Sequence, residues 1–350
     1  MRLSESIRKN IFSHSSGVIL NSFKAKNRRD VIFFEDILAE FIRDCEAQGY
    51  GPVVLAAAQE WMMLAETLVP SLIRKLPPYI IFNNFLKKAW TNIGLMDGLK
   101  FAMYGKTVRL MTENEAVSRL IGKNMFMAGI YSGILKVLYD SEIELAGFNK
   151  DGPLHTYRFR ISNAPPAPRR GCRAKEAYNK LNYPGRASTS TLRNALNKRT
   201  MVLRGNRLYF RDRSLIVLEN TIFHLLGAYG LPMGKIPAIS QKYFSGIIDA
   251  AQDEDKKLVL LKMLLQSTGW GNTRIIKASG KVIIHITNPP YGLQAEGDSW
   301  TFLAMVILGY LRPAGRYCLK GVRQKSRTLI IEYSKNRPKM RPMQTTQPGK

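Results

Sequence analysis

The chain has 350 residues, 53 of them basic and 26 acidic, so its formal net charge at pH 7 is +27. Apolar residues make up 45% of the chain, which excludes a wholly disordered protein. Its three cysteines show no CxxC spacing, which excludes a disulfide framework and a cysteine zinc site. No run reaches the ~20 apolar residues of a membrane span, and no leader segment is evident. We therefore expect a cytoplasmic protein without a membrane partner.

Charge and proline content divide the chain. Residues 31–160 carry fourteen basic and fourteen acidic side chains, whereas residues 161–213 carry thirteen basic and two acidic, a net charge of +11. The run NAPPAPRR at Asn163–Arg170 indicates a linker, because its prolines disfavour helices and central strands. We predict a basic N-terminal arm at 1–16, a first unit at 17–161, a basic linker at 162–198, a second unit at 199–333 and a disordered basic tail at 334–350.

The two units show the same order of predicted elements. In the first, a strand pair begins with GVILNSF, and helices at 35–46 and 56–68, a hairpin of 99–103 with 108–111, a helix at 124–138 and a strand at 155–161 follow. In the second, the hairpin TMVLRGNRLYF turns at Gly205-Asn206, and helices at 214–226 and 257–266, a hairpin of 273–277 with 282–286, a helix at 299–311 and a strand at 328–333 follow.

Three sequence blocks indicate an internal duplication. RDVIFFE at 29–35 matches RSLIVLE at 213–219, an offset of 213 − 29 = 184. GKTV at 105–108 matches GKVI at 280–283, an offset of 175, and FMAGIYSGILK at 126–136 matches FLAMVILGYLR at 302–312, an offset of 176. The blocks keep one order, which predicts an α+β fold of two units. Each unit would be an antiparallel sheet with helices packed on it.

The element order resembles the vinyl-reductase-type (4-vinyl reductase) domain, a relative of the transport-protein-particle subunit fold. The matching features are Gly269-Trp270-Gly271 before a hairpin, the polar turn Thr287-Asn288-Pro289, and the FxAGxxxGxL helix at Phe126–Leu135. The resemblance covers most of 17–161 and 199–333. It implies a sensor or scaffold for small, often apolar molecules, commonly attached to regulators. Many members also place cysteines near the glycine helix. Here Asn124, Met125 and Thr301 stand in that region, so we predict no metal and no cofactor.

Gly129 and Gly133 lie four residues apart on one helix face, where each glycine costs about 1 kcal/mol relative to alanine. Either a closely packed neighbour or room for a ligand would offset that cost. In the ligand interpretation, glycines and nearby aromatic residues line an apolar pocket. The candidates are Phe126, Gly129, Tyr131, Gly133, Trp300, Phe302 and Gly309. The alternative is that the same side chains form an ordinary core.

The segment 169–213 combines cations with tyrosines, which suits phosphate neutralisation and base stacking. Predicted helices at 174–181 and 190–198, followed by the hairpin, outline a winged-helix reader of DNA. A solvated linker with nonspecific anion affinity is the alternative. The candidate nucleic-acid-binding residues are Arg169, Arg170, Arg173, Lys175, Arg193, Lys198, Arg199, Arg204 and Arg207.

The NPPY segment at 288–291 resembles the catalytic loop of amino-methyltransferases, yet the chain has no glycine-rich loop for a methyl donor. A strand-to-helix turn explains the prolines equally. No catalytic triad and no phosphate-binding loop occur. The sequence therefore favours a non-enzymatic small-molecule-binding or scaffold protein, in its fullest form a ligand-sensing regulator that contacts DNA or RNA through its linker and tails. A nucleic-acid- or ribosome-associated protein without a ligand, and an amino-methyltransferase, are the alternatives. The units would pair within the chain or between copies.

Overall fold

The computed structural model describes residues 29–64, 75–166, 192–248, 253–290 and 300–335, together with the backbone of two short strands before them. The fold is α+β, with three antiparallel sheets and helices packed on them. Below, the first half means the described residues up to 166, and the second half means those from 192 onward. No helix in these ranges is both long and apolar enough to cross a membrane.

The first half begins with three strands, which are followed by helices, a strand pair, further helices and a second strand pair. Its strands are β1 (Phe12–Ser13), β2 (Ile19–Asn21), β3 (Arg29–Phe34), β4 (Gly98–Tyr104), β5 (Thr107–Glu113), β6 (Ile143–Asp151) and β7 (Leu154–Ile161). Its helices are α1 (Glu35–Ala47), α2 (Gly51–Leu64), α3 (Pro78–Ile80, π-helical Ile81–Leu86, Lys87–Asn92), α4 (Ser118–Ile121) and α5 (Met125–Tyr139).

Within the described residues, the second half has the same order with different lengths, except that it begins with the helix α6 and has no counterpart of α4. Its strands are β8 (Met201–Arg204), β9 (Arg207–Phe210), β10 (Arg213–Glu219), β11 (Asn272–Ala278), β12 (Lys281–Thr287), β13 (Tyr317–Lys325) and β14 (Thr328–Lys335). Its helices are α6 (Leu192–Asn197), α7 (Thr221–Ala228), α8 (Ile236–Ser245), α9 (Glu254–Ser267) and α10 (Thr301–Leu311). The helix predicted at 214–226 is wrong in its first part, because 214–219 belongs to β10.

A central six-stranded sheet joins the halves, in the order β1-β2-β3-β10-β9-β8. Strands β3 and β10 pair antiparallel, with Val31 opposite Leu218 and Phe34 opposite Leu215. At the offset of 184, Val31 corresponds to Leu215 and Phe34 to Leu218. Exchanging each residue for its counterpart turns the pair Val31–Leu218 into the pair Leu215–Phe34, so the register stays the same. That is the property of a contact between two equivalent units. The halves therefore share one continuous sheet.

Each half also has a four-stranded outer sheet, in the order β4-β5-β7-β6 or β11-β12-β14-β13. The strand registers equate the two sheets at an offset of 174: a bulge precedes Gly147 and Gly321, and the left-handed turn residues Asn114 and Asn288 also correspond. The offset of 175 predicted from the GKTV block is thus one residue too large. The cause is the hairpin turn, where Gly105 takes the first loop position and Gly280 the second.

The core continues from the central sheet into both halves. Phe33 of β3 packs against Phe223 and Phe302 of the second half, with ring centroids 4.9 and 5.4 Å apart. Both strands of the central pair are buried along most of their length. Aromatic side chains of this size contribute much of the apolar area removed from water. The two halves therefore share one core and cannot be separated without exposing it.

Candidate binding site

The glycines of α5 and α10 lie where another helix crosses closely. A Cβ atom added to Gly133 would lie 2.5 Å from the Gln59 carbonyl oxygen of α2, and one added to Gly129 would lie 2.6 Å from the Leu55 carbonyl oxygen. A Cβ atom on Gly309 would lie 2.5 Å from the Pro237 carbonyl oxygen of α8. The glycines allow backbones to approach, and the space beside them is filled by helix.

The aromatic residues predicted with these glycines lie in different parts of the core. Phe126 stacks on Trp61 at 6.3 Å, and Phe302 belongs to the aromatic group around Phe33. Trp300 packs its ring against His224. Each of these three side chains therefore packs against a different ring.

Tyr131 belongs to a buried polar cluster that sequence analysis did not find. Its hydroxyl donates to the carboxylate of Glu115, which is fully buried between β5 and α4. Thr112 donates at 2.7 Å, Tyr157 at 2.5 Å, and Ser118 donates as well. Burial raises the pKa of the Glu115 carboxyl, while the four hydroxyl donors oppose that rise. A satisfied network of this kind fixes one arrangement of the core.

The second half replaces this cluster with isoleucine. At the equivalent strand positions, 112 + 174 = 286 and 157 + 174 = 331 are Ile286 and Ile331, and Tyr131 corresponds to Ile307 at the helix offset of 176. All three isoleucines are buried. The two halves thus differ in core chemistry at these three positions: the first half has hydrogen-bonded hydroxyls there, and the second half has aliphatic side chains.

A cavity of about 20 Å³ lies beside Ile307 in the second half. Its lining is mostly apolar, with Thr268, Trp270 and Tyr310 as the residues that carry a polar group, and none of the seven residues predicted as a ligand pocket lines it. Strand β3 and helices α8, α9 and α10 all contribute, through Phe33, Phe34, Phe244, Leu264, Val306 and Ile307 among others. The cavity therefore borders α10, which was predicted as a glycine-containing helix, but its lining residues differ from those predicted for the pocket.

Arg29 holds the turn at the start of the NPPY segment. Its guanidinium is fully buried and donates to the carbonyl oxygens of Asn288 at 2.7 Å, Pro289 at 3.1 Å and Gly269 at 3.2 Å. The Pro290 carbonyl accepts from Asn220 at 3.1 Å. Backbone oxygens that a methyltransferase would offer to its substrate are thus already used within the protein. Tyr291 lies outside the described residues.

A related contact holds the first half. Arg207 of β9 donates to the carbonyl oxygen of Asn114, the positive-φ residue equivalent to Asn288, and lies 3.7 Å from Asp97. An arginine of each half therefore binds the strand-to-helix turn of the other. Arg207 is only 7% exposed, so its side chain serves this contact between the halves.

His224 lies beside the same turn. Its Nε2 atom accepts from the Asn220 amide at 2.6 Å, and its ring meets Trp300 with centroids 4.8 Å apart. Complete burial lowers the pKa of His224 to about 3. The imidazole is therefore neutral at physiological pH and acts as a packed, hydrogen-bonded core residue.

We expect the low pKa of His224 to make the protein acid-sensitive. Between pH 6.5 and about 3 the unfolded chain binds a proton that the folded protein excludes, so the free energy of unfolding falls as pH falls. At 1.36 kcal/mol per pKa unit, this group costs on the order of 3 kcal/mol between pH 7 and pH 4. Urea unfolding from pH 7 to pH 4 should show a shallower acid limb for His224→Gln than for the wild type. Parallel limbs would contradict the prediction.

The predicted nucleic-acid-binding residues are only partly described. Arg169, Arg170, Arg173, Lys175 and the helix predicted at 174–181 lie outside the described residues. The second predicted helix corresponds to α6, and the hairpin corresponds to β8 and β9 with its turn at Gly205. Arg193, Lys198 and Arg199 are exposed, and Arg204 lies over the Tyr209 ring at 5.3 Å.

Within the described ranges, no group of three or more His, Cys, Asp or Glu side chains could hold a metal ion. Comparison with protein families, with curated proteins and with solved structures gives no match. The resemblance to vinyl-reductase-type units therefore stays a prediction, carried by the residues quoted for it.

Proposed function

We propose that this protein is a non-enzymatic binding protein that takes up a small apolar molecule in its second half, with the joined halves acting as the scaffold. One observation carries the proposal: the second half has a mostly apolar cavity beside Ile307, the residue that stands where the first half has Tyr131 of the Glu115 cluster. The two hydroxyls of the lining, on Thr268 and Tyr310, already donate to backbone carbonyls, so this mostly apolar lining suits a ligand with little or no polar surface.

The size of the cavity limits how binding can occur. A volume of about 20 Å³ is near that of one water molecule, so a ligand must displace side chains as it enters. Leu261, Leu264 and Leu265 of α9 form one wall, and leucines can change rotamer without leaving a polar group unpaired. Such repacking costs about 1–3 kcal/mol, so a poorly matched ligand binds weakly.

Toluene is a suitable probe, combined with native mass spectrometry for any apolar molecule that co-purifies. We expect saturating toluene to raise the melting temperature of the wild type by a few degrees, because a ligand that binds only the folded state stabilises it. Val306→Ile adds a methylene beside the cavity and should abolish the rise. Val259→Ile, the same change at a residue 68% exposed on α9, should leave it intact.

If the wild type showed no temperature shift with toluene and no apolar molecule co-purified with it, ligand binding would be refuted. An equal shift in Val306→Ile and Val259→Ile would place toluene elsewhere and refute this site.

A further inference from the structure

The outer sheet of the second half has a basic face directed away from the helices. One row across it, in strand order β11-β12-β14-β13, reads Arg274, His285, Ile330, Arg323, and the next row ends in Lys325. Successive residues of a strand point to opposite faces of the sheet. The neighbours of these residues that point to the other face, Val282, Ile284, Leu329 and Ile331, are fully buried. The cations therefore lie on the solvent side of the sheet.

The hairpin of β13 and β14 adds to this charge. Between residues 316 and 327 it carries five basic residues and no acidic one: Arg316, Lys320, Arg323, Lys325 and Arg327. All five are exposed, and within the described part of the chain they have no ion pair. The acidic side chain on this face is Glu332, and it already pairs with Lys281 at 3.5 Å. The face thus carries an uncompensated positive charge on a rigid sheet.

The equivalent hairpin of the first half, β6 with β7, lacks this charge, although Lys100, Arg109 and Arg158 are exposed elsewhere on the same outer sheet. At the offset of 174, Arg323 corresponds to Asn149, Lys325 to Asp151 and Arg327 to Pro153. Both hairpins share the bulge and the positive-φ turn residue, Gly152 in one and Ser326 in the other. The fold therefore tolerates neutral and acidic residues at these positions. The cations are not needed to form the hairpin.

We propose that this face, from Arg274 to the β13 edge, binds the phosphate backbone of nucleic acid. Arg323 and Lys325 lie two residues apart on the edge strand, about 7 Å, and Arg274 lies three strand spacings away, about 14 Å. A row of cations at such intervals suits a repeating polyanion. A membrane surface fits less well, because the exposed large apolar side chains of the described chain, such as Tyr79, lie elsewhere.

This surface is distinct from the linker and independent of the apolar cavity, so either proposal can fail alone.

The test is fluorescence anisotropy with a 20-nucleotide single strand and a 20-base-pair duplex, as DNA and as RNA, over a range of salt concentrations. We expect Arg323→Gln/Lys325→Gln to weaken binding at least tenfold at low salt. On duplex DNA, the slope of log affinity against log salt should fall by about 1.8, since each lost phosphate contact contributes about 0.9.

The matched control is Arg109→Gln/Arg158→Gln, which removes the same charge from the outer sheet of the first half. These two arginines are exposed and lie opposite each other in β5 and β7. We expect that variant to lose less than threefold. Equal losses would show a general charge effect and overturn the proposal. It would also be overturned by a loss confined to Lys198→Gln/Arg199→Gln at the end of the linker, or by binding of the wild type to anionic phosphatidylserine vesicles but not to any oligonucleotide.

Discussion

Replacing Arg29 with methionine is expected to lower the free energy of unfolding by about 3–5 kcal/mol. The guanidinium is fully buried and donates to three carbonyl oxygens of the second half, at Gly269, Asn288 and Pro289. Methionine fills a similar volume but donates nothing, so buried carbonyls lose their partner at a cost of about 1–3 kcal/mol each, not fully additive. Urea denaturation followed by tryptophan fluorescence measures the change.

Arg213→Met is the matched control, because Arg213 occupies the position equivalent to Arg29 at the offset of 184. Its side chain is 41% exposed, lies 3.9 Å from Asp36 and stacks over Tyr243. Partly exposed pairs of this kind contribute about 1 kcal/mol or less. Similar losses in both variants would show that the contact of Arg29 with the turn is not what holds the halves together.

Much of the fold follows from the sequence because period and turn chemistry are local. The hairpins of the outer sheets alternate buried and exposed residues, and the Gly205 turn has the positive φ that glycine accepts. Strands β6 and β13 were missed, because a bulge interrupts their alternation. The helix predicted at 214–226 failed because the buried β10 is apolar on both faces and shows no alternation.

The site was less predictable than the fold. Glu115 stands in a loop, and its four hydroxyl donors come from separate elements, so no spacing in the sequence marks the cluster. The cavity beside Ile307 depends on how four elements pack, which residue type alone does not determine. The basic sheet face was also missed, because net charge was counted along segments of the chain. Such a count does not show that Arg323 and Lys325 lie on one face of the sheet.

Replacing both Gly129 and Gly133 with alanine is expected to destabilise the protein by about 3–5 kcal/mol, although alanine favours a helix by about 1 kcal/mol per site. The added Cβ atoms would lie 2.6 and 2.5 Å from backbone oxygens of α2, and a backbone cannot move aside as a flexible side chain can. Helices α2 and α5 would have to separate, and the Gln59–Ser132 hydrogen bond of 2.9 Å between them would be lost. Urea denaturation measures the loss.

The control is Gly234→Ala/Gly321→Ala, at two glycines with no atom within 4 Å of an added Cβ and no positive φ. We expect that pair to change stability by less than about 1 kcal/mol, and in the stabilising direction, because alanine restricts the unfolded chain. This comparison also decides between the two interpretations of the glycine helix. If the α5 variant were as stable as the wild type, room for a ligand would exist beside α5. A large loss confined to that variant means that the glycines serve the packing of α5 against α2.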